Sequence, residues 1–201
     1  MELGFFVKGM ILGFSIAAPV GPIGVLCIRR TIQYGRWSGF FSGMGAAVAD
    51  TLYGMIAALG LTWLSGFMVA EQFWFRVVGG AFLLYLGIKT FRAKPMGKGN
   101  EVTHKTLTKD FASTFFLTMT NPMTIISYLA IFAGLGLTPE EGSPTKLILG
   151  VFFGSAIWWI ILSEGVTLFR SMVSERVMTL INRFAGALIA AFGIAAWLSL
   201  L

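Results

Sequence analysis

Charge is scarce in this chain. Asp, Glu, Lys and Arg make up 12% of its 201 residues. A soluble globular domain carries roughly 25%, so too little charge remains here to cover a surface facing water. Cysteine occurs once, at Cys27, which excludes an internal disulfide and any two-thiol relay. Histidine also occurs once, at His104 in a polar stretch, and without a Cys/His cluster no metal site is expected. No set of nucleophile, base and orienting group can be assembled, and no phosphate-cradling loop is present. An enzyme, a bound cofactor and a nucleotide-driven pump are therefore not expected. Uphill work would draw on an ion gradient or another subunit.

Apolar length is what the chain does have. Hydrophobic residues reach 56% and the mean hydropathy is +0.81. A lipid bilayer is the simplest solvent for such a chain, and about 20 apolar residues cross its core as a helix. Six such spans are expected: Phe5–Ile28, Trp37–Leu64, Phe73–Ile88, Phe111–Leu137, Leu147–Phe169 and Phe184–Leu201. Apolar stretches continue to Leu201, so a cleaved signal peptide would not account for them. The 15 Lys and Arg then sort by side, 12 on one (Arg29, Arg30, Arg36, the Lys89–Lys109 loop, Arg170, Arg176, Arg183) and Lys8, Arg76 and Lys146 on the other. The positive-inside rule makes the rich side cytoplasmic. Both termini are thus expected outside a bacterial inner membrane, in a multi-pass protein. Basic residues distributed in this way point to membrane orientation and not to nucleic acid.

The two halves resemble each other. Gly39-x-x-x-Gly43 opens the second span and Gly150-x-x-x-Gly154 the fifth; Gly80-Ala81 and Gly87-Ile88 in the third match Gly186-Ala187 and Gly193-Ile194 in the sixth. Prolines interrupt the first span at Pro19 and Pro22, and the fourth at Asn121-Pro122. An odd number of helices per half turns the second copy upside down, an architecture common in secondary transporters. The expected fold is an all-α membrane protein of six transmembrane helices as a 3+3 inverted repeat. Residues 1–92 form the first repeat, 93–109 a cytoplasmic linker and 110–201 the second. Small-xxx-small motifs also recur by chance in helical membrane proteins.

At a rise of about 1.5 Å per residue, Pro19–Pro22 lie roughly 10–15 Å from the cytoplasmic edge, Asn121 roughly 16 Å and Asp50 roughly 21 Å. All fall centrally in a core about 30 Å thick. Helix breaks at that depth leave N–H and C=O groups that can hold a carboxylate and an ammonium. Kinks that merely serve packing are the plainer alternative. Asp50 shares a face with Gly39, Gly43, Ala46, Ala47 and Gly54, so it points into the bundle. There it could carry a coupling proton or meet a substrate ammonium, or simply be hydrogen-bonded across a helix interface. Candidate transport residues are therefore Pro19, Gly21, Pro22, Asp50, Tyr53, Asn121 and Pro122, with Ser127 and Trp158 as cavity liners. Tyr85 and Tyr128 are further possible liners, and Glu164 reads as an interfacial carboxylate.

Ala18-Pro19-Val20-Gly21-Pro22, Arg29, Gly35, Gly39, Gly43, Asp50 and Gly60, with Gly80, Gly87 and Asn121-Pro122, resemble the LysE/RhtB amino-acid exporter family over nearly the whole chain. That resemblance implies proton-driven amino-acid efflux, a six-helix inverted-repeat fold and a homodimer. Val20 inserted before Gly21-Pro22 and Met123 after Asn121-Pro122, where many members carry Lys, are departures that bear on substrate or coupling. A divalent or heavy-metal cation exporter of related fold is the alternative, but it would want several ligands at the midplane and only Asp50 and Asn121 qualify. A membrane thiol carrier needs paired cysteines, and a non-transporting partner protein lacks a docking domain.

Overall fold

Proline decides where the first apolar stretch stops being one helix, because it lacks an amide and its ring clashes with the preceding turn. In the computed structural model α1 runs Glu2–Ala17 and α2 runs Pro22–Tyr34, and their axes meet at 80°. The span expected over Phe5–Ile28 is therefore two helices. Pro22 opens α2, where a missing amide costs no hydrogen bond. Gly35, at φ 98°, ends α2 and starts the next helix in one residue, a backbone that only glycine adopts without penalty.

The structure describes residues 2–19, 21–59, 66–67, 70–94, 104–121, 124, 127–128 and 144–200. Beyond the first pair it contains α3 (Arg36–Ala58), α4 (Gln72–Phe91), α5 (His104–Met119), α6 (Pro144–Phe169), a 3-10 turn (Arg170–Met172) and α7 (Glu175–Leu198). No strand occurs among the described residues. Four of these helices (α3, α4, α6 with its 3-10 turn, α7) are long and apolar enough to cross a membrane, and the bent α1–α2 pair makes five if it counts as one span. The expected fourth span, Phe111–Leu137, runs from α5 into residues mostly outside the described set, as do Gly60, Pro122 and Met123. α5 already begins at His104, within the stretch expected as linker. α7 begins nine residues earlier than its expected start at Phe184, on Ser174, whose hydroxyl accepts the Val177 N–H at 3.3 Å.

Helices pair through small residues. α1 packs along α6, where Gly9 and Gly13 interlock with Gly150 and Gly154: a Cβ at Gly154 would run into the Met10 carbonyl, and one at Gly13 into that of Val151. Phe6 lies opposite Gly150 and Met10 opposite Gly154, so these two helices are parallel. α3 runs parallel to α5, with Ser42 beside Thr114 and Tyr53 beside Met119. α4 runs antiparallel to α7, with Gly80 at Gly193 and Gly87 at Ala190. α2 is held between α3, α6 and α7. The outer surface is apolar, exposing Trp74, Val78, Phe116, Phe153, Ile161 and Phe184, while Ser38, Ser42, Thr114, Ser155 and Asn182 are fully buried. An apolar exterior over a small-residue and polar interior is the arrangement that a lipid solvent selects.

Candidate functional site: a cavity at the helix break

The break between α1 and α2 opens onto a cavity of about 620 Å³, within the ~300–1,000 Å³ typical of small-molecule sites. Pro19, Gly21, Pro22 and Ile23 form one wall. Thr120 and Asn121, just past the end of α5, form another with Thr124 and Ser127. α4 contributes Phe75, Arg76, Gly79, Gly80 and Leu83, and α7 and its C-cap contribute Phe192, Ala195, Ala196 and Ser199. Both polypeptide breaks thus reach the same space. On the α2 side, Gly21 precedes the helix without a side-chain cap. Val25 is the first amide to reach a helix carbonyl, that of Gly21 at 3.0 Å, so the amides of the first turn have no partner within the helix. On the α5 side, Asn121 donates its amide to Thr118 at 3.1 Å, and its carbonyl accepts the Thr124 N–H at 3.1 Å.

Asp50 does not line this cavity. It is 4% exposed on α3, and its Oδ2 accepts the Ser155 hydroxyl of α6 at 2.8 Å. Tyr53, one turn further along α3, is also buried outside the lining and sits 6.3 Å, ring to ring, from Tyr128. The Tyr53 hydroxyl donates to the Met119 carbonyl at 2.7 Å. It therefore ties the helix carrying Asp50 to the end of α5, two residues before Asn121. Trp158 packs edge-on against Phe14 at 5.4 Å and lies outside the cavity lining. Tyr85 is on the exposed side of α4 under Lys89, and Glu164 is exposed. Pro122 lies outside the described residues.

A second polar centre was not anticipated. Arg29 and Arg30, sorted by sequence with the loop charges, are each 7% exposed. Arg30 Nε lies 3.1 Å from Asp110 Oδ1. Its other nitrogens donate to the Ser42 and Ser113 hydroxyls at 2.9 and 2.7 Å and to the Asp110 carbonyl at 3.0 Å. Ser38 donates to the second Asp110 oxygen. Arg29 donates to Asn182 Oδ1 at 2.8 Å, and Asn182 passes a bond to the Ala93 carbonyl at 3.1 Å. Two full charges are stable here because, beyond the Nε–Oδ1 contact, both Nη atoms of Arg30 and Oδ2 of Asp110 have further partners. The available signal was the polar run Asp110, Ser113, Thr114, Thr118, which recurs every three or four residues on α5. Among the described residues no three His, Cys, Asp or Glu side chains gather as a metal ion would need.

The apolar exterior over a polar interior and the helices long enough to cross lipid define a multi-pass helical membrane protein. The chain belongs to the LysE type translocator family, whose model matches residues 14–199; this is a family of transporters and not of enzymes. It is similar to the "Putative amino acid efflux protein YcgF" of Bacillus subtilis (strain 168), 29% identical over 198 residues that cover 95% of this chain and 94% of that one. It is also similar to the "Putative amino-acid transporter YisU" of the same organism, 24% identical over 92% of this chain and 86% of that one. The "Uncharacterized membrane protein YahN" of Escherichia coli (strain K12) is 24% identical over 83% of this chain and 77% of its own. No solved structure matches.

Proposed function

We propose that this chain is a secondary transporter that exports an amino acid or a close analogue across the bacterial inner membrane in exchange for protons. The observation that carries the reading is that the α1–α2 break at Pro19–Pro22 and the chain at Asn121 border one cavity. Amides at the start of α2 that have no partner within the helix offer donors to a polar solute. The neutral oxygens of Asn121, Thr124 and Ser127 suit an ammonium. Pro122, next to Asn121, belongs to the same proposed cradle. The names of the two Bacillus relatives favour an amino acid as solute, and the metal-cation alternative draws nothing from the family or those names.

Asp50 is the proposed proton carrier. A carboxyl among Ser155, Tyr53 and small residues can alternate between neutral and charged forms, and Tyr53 would relay the change to the end of α5. The inverted-repeat reading is part of the same proposal. If a two-fold axis relates residues 1–92 to 110–201, the α1–α6 pair exchanges with the α5–α3 pair while α4–α7 maps onto itself. The pairings and their parallel or antiparallel senses agree with that operation. Outside termini and a homodimer complete the reading.

The test uses purified protein in liposomes loaded with the twenty common amino acids. Acidifying the exterior should drive one or a few of them out faster than from protein-free vesicles. If none leaves, the transporter reading fails; if efflux ignores the pH gradient, proton antiport alone is removed.

A further inference from the structure

Arg76, one of the three basic residues on the sparsely charged side, stands on the cavity wall. It is half-buried, and its Nη1 donates to the Ser199 carbonyl and hydroxyl at 2.9 and 3.1 Å. Nη2 donates to Gln72 Oε1 at 2.9 Å. All of these partners are neutral, and among the described residues no carboxylate pairs with the guanidinium. A guanidinium has five N–H donors, so among the described residues these bonds leave the Nε–H and one Nη donor over. The fifth residue of α4 also lies near the positive end of that helix dipole, where a cation is disfavoured.

The rest of the described lining sharpens the contrast. Its polar side chains are neutral, it contains no Asp or Glu, and its remaining surface is apolar, with Leu83, Leu117 and Ile23 meeting at the far end. Arg76 and Leu83 are seven residues apart on one face of α4, roughly 10 Å at about 1.5 Å per residue. That is the length scale of one amino acid lying between a charged end and an apolar end.

We infer that Arg76 binds the carboxylate of the solute, and that the cavity selects neutral, apolar amino acids over cationic ones. This rests on the amino-acid reading above and names its substrate class. A guanidinium on a cavity wall, with no carboxylate partner among the described residues, attracts a carboxylate through a planar two-bond fork. The same charge repels a second ammonium or guanidinium, strongly so where the effective dielectric is low. The apolar end has nothing to replace the water lost by a charged side chain.

The experiment is calorimetric titration of the detergent-purified protein with alanine, leucine, methionine and phenylalanine, with the amides of the same four, with 4-methylpentanoate and with lysine. At least one of the four acids should bind about tenfold or more tightly than its own amide and than lysine, as loss of a charge-assisted bond implies. R76Q should weaken that acid by about tenfold or more while leaving the amide nearly unchanged, so the acid-to-amide ratio collapses, and R76K should fall between. A guanidinium that only caps α7 through Ser199 would lower melting temperature without moving that ratio. An unchanged ratio in folded R76Q, or lysine binding as well as the best neutral acid, overturns the inference. If R76Q does not fold, the wild-type acid-to-amide ratio and R76K decide. If no amino acid binds but 4-methylpentanoate does so in an Arg76-dependent way, the amino-acid reading falls and the carboxylate site stands. Binding of none of the probes overturns both.

Discussion

Asp50 and Arg30 are both buried, yet they hold their charge differently. Asp50 has one hydroxyl partner, Ser155, whereas Asp110 is met by Arg30 and Ser38 together. A lone, singly bonded carboxyl is free to change protonation with little rearrangement, and a charge-matched network is not. Asp50→Asn is therefore expected to fold within about 1 kcal/mol of wild type, because the amide oxygen can still accept from Ser155. Efflux driven by a pH gradient from proteoliposomes should drop at least ~10-fold per folded molecule, the scale of losing a group that the driven step requires. Downhill exchange should persist if Asp50 only carries the proton, and should fall as well if it holds the substrate ammonium. Normal gradient-driven efflux would end the coupling role. Arg30→Met leaves Asp110 buried without its counter-charge and should cost about 3–5 kcal/mol. Adding Asp110→Leu should recover part of that loss. Melting temperature and folded yield in detergent decide, and a harmless single variant would mean that the pair is solvated.

Among the elements, glycines set how closely helices approach, and the structure separates glycines that a hydropathy plot treats alike. Gly154 faces the backbone of α1, and Gly43 faces Cβ and Cγ of the buried Trp159, the root of that side chain, so neither contact can yield easily. Gly165 faces open space. Gly154→Leu and Gly43→Leu should each lower stability by more than about 3 kcal/mol. Gly165→Ala should be neutral or stabilising by up to ~1 kcal/mol, since it only improves helix propensity. Thermal melts of the three variants in one detergent check the order; Gly154→Leu melting with wild type would place that face against lipid. Element ends were harder to read than element cores. α7 was expected to start at Phe184, but Asn182 is fully buried against Arg29 and Arg183 is an exposed residue within the helix.

For the molecule as a whole, orientation follows from charge. A compartment-sensitive reporter fused after Leu201 should report the periplasm, and a cytoplasmic signal would overturn the six-span reading. Two of the twelve residues used to orient the chain, Arg29 and Arg30, are internal ligands of the fold and not loop charges. Removing them leaves ten basic residues against three, so the asymmetry survives, and the test bears on the remaining loops.

Solvent, helical class and the small-residue faces were determined by the sequence alone, because each is a property of composition and of local period: apolar length demands lipid, and glycines every four residues make a stripe on any helix. The prolines also announced a break. What only the tertiary structure decided is which distant groups meet. Pro19, Gly21, Pro22 and Asn121 border one cavity, while Asp50, read to a similar depth, lies outside its lining. Depth along a helix follows from 1.5 Å per residue, but the direction a residue faces across the bundle depends on helix rotation and pairing. For the same reason Arg76, a mere interfacial charge in the sequence, became the cavity's one positive group among the described residues once α4 packed against α7.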